Sequence, residues 1–96
     1  MNRVAITPAG ERTMLKLPEG AWFAAAEFIA GPLSVDPVRV SKPLAPPLQG
    51  QRSARVGEYR VLFTLHPLVD QAADESTGDY LITITAVRHR RDVYHR

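Results

Sequence analysis

The chain has 96 residues, 45% of them hydrophobic, a formal net charge of +2 and no cysteine, so disulfides and thiolate metal centres are excluded and residues 1–96 are expected to form one domain around one core. His66, His89 and His95 are too scattered to suggest a metal site, and neither metal nor other cofactor is expected. The sequence pI near 9.4 rests on arginine, lysine occurring only at Lys16 and Lys42; this balance fits a nucleic-acid partner and equally fits arginine-rich codon usage.

Arg3 to Ile6 is a short strand candidate. It turns to Thr7-Pro8 before a signal-peptide apolar region could form, and no run approaches a membrane span, so a cytoplasmic protein is expected. Thr7 reads as a helix N-cap and Pro8 as the first helical residue, with Glu11 where the dipole favours an acid. This helix should run to about Lys16, because Pro18 pushes Leu17 out of helical geometry. A second helix is expected from Glu19 to Ala30, closed by Gly31-Pro32. Its core stripe on the 3.6-residue period is Trp22, Ala25, Ala26 and Ile29. Few polar residues oppose that stripe, which fits a helix covered on both sides and fits as well alanine tolerated on an exposed helix face.

Leu33 to Gly50 is rich in proline and reads as a connection. Alternation returns at Gln51, with Ala54 and Val56 pointing one way and Ser53 and Arg55 the other. After a tight turn at Gly57-Glu58, Tyr59, Val61, Phe63 and Leu65 point to the core, and Arg60, Leu62 and Thr64 to the other face. His66-Pro67 should end that strand, and Asp70 to Asp79 reads as a solvated loop. The last strand, Tyr80 to Val87, places Tyr80, Ile82, Ile84 and Ala86 inward and Leu81, Thr83, Thr85, Val87 and His89 outward. The expected class is α+β, in the order β-α-α-β-β-β: an antiparallel meander with both helices on one face and the other face open.

On the open face, parity gathers Ser53, Arg55, Arg60, Thr64, Thr83, Thr85 and His89. A cation in the middle of so apolar a strand as Tyr59 to Leu65 fits an anionic group lying on that face, and from this segment alone fits equally the solvated side of a half-exposed strand. Directly beyond comes the basic end of the chain, Arg88-His89-Arg90-Arg91-Asp92-Val93-Tyr94-His95-Arg96.

Lys42-Pro43-Leu44, Leu48-Gln49-Gly50, Ser53 to Val61 with its G-x-Y-R-V segment, and the H-R-x-D-V-Y segment from His89 to Tyr94 together resemble the RelE side of the RelE/ParE toxin superfamily. The resemblance covers nearly the whole chain. It implies a cytoplasmic toxin that enters the ribosomal A site and cuts messenger RNA, restrained by a cognate RelB-like antitoxin in a hetero-oligomer. It also implies cleavage without metal, in which the nucleotide's own 2′-hydroxyl attacks the phosphodiester.

By the same resemblance Arg60 would hold the scissile phosphate. Tyr94 would stack on a base and assist proton transfer, its pKa depressed by cations such as Arg88 and Arg90. Arg55 falls near a family lysine, and Ser53, Arg90 and Arg91 join it as candidate RNA-binding residues. Arginine does not readily give up a proton, so Arg88 suits charge stabilisation, and His89, on the open face by parity, is the expected acid. Two other readings stay open: a ParE-like module that poisons DNA gyrase, and a silent relative that only binds antitoxin and co-represses transcription.

Overall fold

Thr7 and Pro8 start the first helix as their chemistry dictates. Thr7 is extended at φ −69°, ψ 159°, and its hydroxyl accepts from the Gly10 N–H at 2.9 Å, one of the donors a helix start leaves without a partner. The computed structural model describes residues 2–46, 50–70 and 75–91. The elements are β1 (Arg3–Ile6), α1 (Pro8–Leu15), α2 (Glu19–Phe28), β2 (Ser41–Pro43), β3 (Arg52–Val56), β4 (Tyr59–Asp70) and β5 (Glu75–His89).

The fold is the expected α+β class, with two additions to the meander. The strand order is β1-β5-β4-β3-β2. β1 joins parallel to β5, Arg3 facing Leu81 and Ile6 facing Ile84: the helices deliver the chain to β2 running opposite to β1, and the three antiparallel reversals that follow bring β5 back to the direction of β1. The proline-containing connection supplies β2, which pairs antiparallel with β3 through Ser41–Ala54 and Pro43–Arg52.

Both helices pack on one face of the sheet. Met14, Ala25, Ile29 and Leu33 meet Ala54, Val61, Phe63, Ile82, Ile84 and Val87 in the core. α1 comes so close to β5 at Gly10 that an added Cβ would stand 2.7 Å from the Ile84 carbonyl oxygen. Only glycine permits that approach.

Three expected element limits or placements fail for physical reasons. Helix two does not close at Gly31-Pro32: α2 continues as a π-helical turn, Ile29–Leu33, which holds Pro32 inside it. Proline lacks an N–H and crowds the preceding turn, and a widened turn relieves both, while the Ser34 hydroxyl donates to the Ala30 carbonyl at 2.8 Å. Trp22 is not a core residue. It is 37% exposed and Phe23 54% exposed, their rings in edge contact at 5.2 Å, while Ala25, Ile29 and Leu33 carry the buried stripe.

β4 also runs past His66-Pro67 to Asp70, and β5 begins at Glu75, so most of the expected loop is ladder. β3 stops opposite Phe63. Beyond that point β4 has, among the described residues, β5 on one side alone, and the missing proline N–H deprives no second described neighbour of a bond.

Candidate functional site

The geometry of the open face turns on one extra residue in β5. Leu62 pairs with Ala86 and Phe63 with Ile84, which leaves Thr85 without a register partner. Its hydroxyl donates to the Leu62 carbonyl at 3.2 Å and to Gln51 Oε1 at 3.3 Å. A bulge of this kind puts two residues opposite one and reverses the alternation beyond it. The inward and outward assignments after Thr85 are therefore the opposite of those expected: Val87 is buried in the core, and Ala86 packs with Leu62 and Leu44 on the other face.

The same reversal corrects Arg88 and His89. Arg88 lies opposite Arg60, on the face away from the helices, and His89 lies opposite Tyr59 on the helix side. The His89 and Tyr59 rings meet edge to face at 5.4 Å, and His89 Nδ1 accepts from the Arg91 backbone N–H at 3.2 Å. His89 thus lines a cavity of about 320 Å³ with Thr13, Lys16, Leu17 and Pro18, which Arg88 also borders at the end of β5.

What the fold brings together is a row of three cations. Arg55 on β3 is opposite Arg60 on β4, and Arg60 is opposite Arg88 on β5. Opposed Cβ atoms in such ladders lie about 5 Å apart, and like charges at that spacing destabilise the pairing. Arg55 Nε donates to the Gly57 carbonyl at 3.1 Å, and Gly57 itself takes φ 60° to make the β3–β4 turn. Arg60 is half-buried, and its Nε, shut off from solvent, has no hydrogen-bond partner. Ser53 was expected on an uncovered surface, yet it is only 5% exposed and its Oγ also lacks a partner. An unpaired buried donor costs on the order of 1–3 kcal/mol, which an arriving anion would relieve.

Arg90 is already engaged. Its side chain forms an ion pair with Glu58, and its backbone N–H donates to the Glu58 carbonyl at 2.8 Å. The Arg90 hydrogen bond and charge, helped by Arg55 and His89, hold the Glu58 carboxyl below its ordinary range. Arg91 is exposed just past β5. Tyr94 and His95 lie outside the described residues. Periodicity gave no reason to single out Arg39, and Lys42 drew notice only within a family-like segment; both line one cavity of about 290 Å³ with Ser53, Arg55 and Arg60. Among the described residues no cluster of three or more histidines and carboxylates could hold a metal ion, and no helix is long and apolar enough to cross a membrane.

No protein-family model matches the chain. It is similar to Toxin RelG of Mycobacterium tuberculosis, 40% identical over 93 residues that span 97% of this chain and 95% of that protein. Toxin RelE of the same bacterium is 45% identical over 62 residues, 65% of this chain and 64% of that protein. Among solved structures, the toxin–antitoxin complex RelBE2 from M. tuberculosis matches with TM-score 0.72 at 36% identity, covering 93% of this chain and 98% of that one. The RelE–RelB complex from Pyrococcus horikoshii matches with TM-score 0.60 at 22% identity over 96% of this chain and 98% of that one, a likeness of fold alone.

Proposed function

The chain belongs to the RelE family of toxins, and from that premise we propose that it is the toxin of a toxin–antitoxin pair and cuts messenger RNA in the ribosomal A site. The observation that supports this reading is the Arg55–Arg60–Arg88 row, whose central guanidinium keeps an unpaired buried N–H. Such a row suits a phosphodiester that gains charge during reaction.

In the proposed step the 2′-hydroxyl of the bound nucleotide loses its proton to a base, the role assigned to Tyr94, and its oxygen attacks the adjacent phosphorus. The bond from phosphorus to the 5′ oxygen breaks, leaving a 2′,3′-cyclic phosphate and a 5′-hydroxyl. Arg60 holds the phosphate oxygens and Arg88 stabilises the charge on the departing oxygen, which takes its proton from water. No step passes through a metal. Because His89 leaves the sheet on the face opposite Arg60 and Arg88, much of the acceleration is assigned to positioning, with the ribosome as the second half of the site.

The antitoxin partner is proposed on separate grounds. The RelBE2 structure, 36% identical to this chain, is a toxin–antitoxin complex. Here α1, α2 and β1 border an apolar groove of about 490 Å³, into which Val4, Ile6, Leu15, Trp22 and Ile29 project. An exposed groove of that character suits the apolar side of a RelB-like helical segment, giving a hetero-oligomer.

The deciding experiment compares a translating extract with naked messenger at equal protein concentration, mapping the ends produced. Cleavage confined to the translating sample, with 5′-hydroxyl ends, is expected. Growth arrest with intact messenger and DNA breaks would overturn the reading in favour of gyrase poisoning.

A further inference from the structure

The edge of the arginine face bears a feature that the row itself does not explain. Arg39 and Lys42 overhang the cavity floored by Ser53, Arg55 and Arg60, so four cations border one concavity of about 290 Å³. Among the described residues none of the four forms an ion pair with a carboxylate. The two buried polar atoms without partners, Ser53 Oγ and Arg60 Nε, belong to residues lining this same space. A hydroxyl and a guanidinium N–H are both donors to an anion, and neither finds an acceptor among the described residues.

The segment carrying Arg39 and Lys42 is also fixed in place. Arg52 Nε donates to Ser41 Oγ at 2.7 Å, and its Nη2 donates to the carbonyls of Val38 and Ser41, each at 3.3 Å. Ser41 Oγ in turn donates to the Pro37 carbonyl. One arginine therefore clamps residues 38–41 against β3, so the rim is set before any ligand arrives and little ordering is left for binding to do.

We propose that this cavity is a second phosphate subsite, in which Arg39, Lys42 and Ser53 hold the phosphodiester next to the one that Arg60 and Arg88 engage. Lys42 lies in register with Ser53 on β3, which pairs with Leu62 on β4. With strands about 4.8 Å apart, β2 stands about 10 Å from β4, a gap that long cationic side chains reach across from both sides. Arg60 then serves both subsites, since it lines the cavity and also stands in the row opposite Arg55 and Arg88. RNA entering from the β2 edge would be held at two consecutive phosphates, fixing which linkage lies between Arg60 and Arg88. Naming RNA as the source of the second phosphate rests on the proposed ribonuclease reading; the oxyanion site itself does not.

The test uses the full chain with two probes. Inorganic phosphate is titrated while the arginine Nε–Hε resonances are followed by NMR. A tetranucleotide with 2′-deoxyribose at every position, which cannot be cleaved, is bound across a range of salt concentrations. Phosphate should shift the Arg60 Nε–Hε signal saturably, and Arg39→Gln combined with Lys42→Gln should weaken that binding about tenfold, as expected for lost charge-assisted contacts. For the oligonucleotide, the salt slope should fall by about 0.7 for each cation removed. Lys42→Arg should keep both values. All three substitutions are at exposed positions, and circular dichroism confirms folding.

An unchanged phosphate affinity in the double variant overturns the subsite. Phosphate binding with an unchanged oligonucleotide slope overturns its assignment to RNA. If both results come out as expected and the protein cuts no messenger, the subsite stands and the ribonuclease reading fails.

Discussion

Arg60 on β4 and Arg88 on β5 are directly opposed in the ladder, two guanidinium side chains facing one another on the side of the sheet away from the helices. Opposed like charges destabilise a strand pair by roughly 0.2–1 kcal/mol, so this arrangement works against the fold that displays it. Replacing Arg88 with Gln should therefore leave stability unchanged or raise it by up to about 1 kcal/mol, while growth arrest on expression is lost. Urea denaturation beside a growth assay checks both. A clear loss of stability would assign Arg88 a structural role instead.

Much of this face was legible in the residues. The alternation from Tyr59 to Leu65 placed Arg60 opposite the core side, and Thr7-Pro8 announced α1, because caps and strand parity are local properties. The position of Arg88 was not legible. A single unpaired residue, Thr85, reverses everything after it, and nothing in Ile84-Thr85-Ala86 marks a bulge without the partner strand present. Pro67 misled for a related reason: whether proline ends a strand depends on how many neighbours that strand has at that point, which is a property of the sheet.

Gly10 sets how closely α1 approaches β5. Alanine favours helix by up to about 1 kcal/mol over glycine, yet its Cβ would meet the Ile84 carbonyl oxygen at 2.7 Å. Backbone against backbone leaves no flexible end to move aside, and the overpacking should win. Gly10→Ala is expected to lower unfolding free energy by about 1–3 kcal/mol in urea denaturation. A stabilised variant would mean that α1 can lift from the sheet at no cost.

Thr13 ties the same helix to the strand beside Arg88. Its hydroxyl donates to the Gly10 carbonyl at 2.7 Å and accepts from the Val87 N–H at 2.9 Å. Valine keeps the shape and removes both bonds, stranding an N–H at the start of the Arg88 segment. Thr13→Val should cost about 1–3 kcal/mol and speed hydrogen exchange at Val87, while Thr13→Ser restores slow exchange. Equal exchange in all three proteins would show that the Val87 N–H finds another acceptor.

Glu58 gives the fold one pH-dependent contribution. Its ion pair with Arg90 depresses the folded-state carboxyl below the ordinary value of 4.5, so the folded protein binds that proton less readily than the unfolded chain does. The pair's contribution is then fully present above about pH 4.5 and fades as pH falls through the lower folded value. Glu58→Gln should be less stable than the parent chain near neutrality, with the gap closing in acid. Denaturation midpoints at pH 7 and pH 3 test the sign, and a gap that widened in acid would contradict it.

His89 is where sequence parity and geometry disagree most directly about chemistry. Histidine is the side chain best suited to give up a proton near neutrality, which is why it drew the role of acid for the leaving oxygen. Its observed place argues otherwise. The ring meets Tyr59 at 5.4 Å on the helix side of the sheet, one ring nitrogen accepts from the Arg91 backbone N–H, and the rest borders a cavity walled by Lys16, Leu17 and Pro18. By strand register the His89 side chain leaves the sheet on the opposite face from Arg60 and Arg88. Removing a general acid costs typically 10²–10⁴ in rate, whereas removing a residue that only packs costs little. His89→Gln should therefore keep messenger cleavage within about threefold of the parent rate, and Arg88→Ala should abolish it. Single-turnover cleavage on programmed ribosomes separates the two cases. A loss of a hundredfold or more for His89→Gln would mean that the end of β5 turns over on the ribosome and delivers the imidazole to the leaving oxygen.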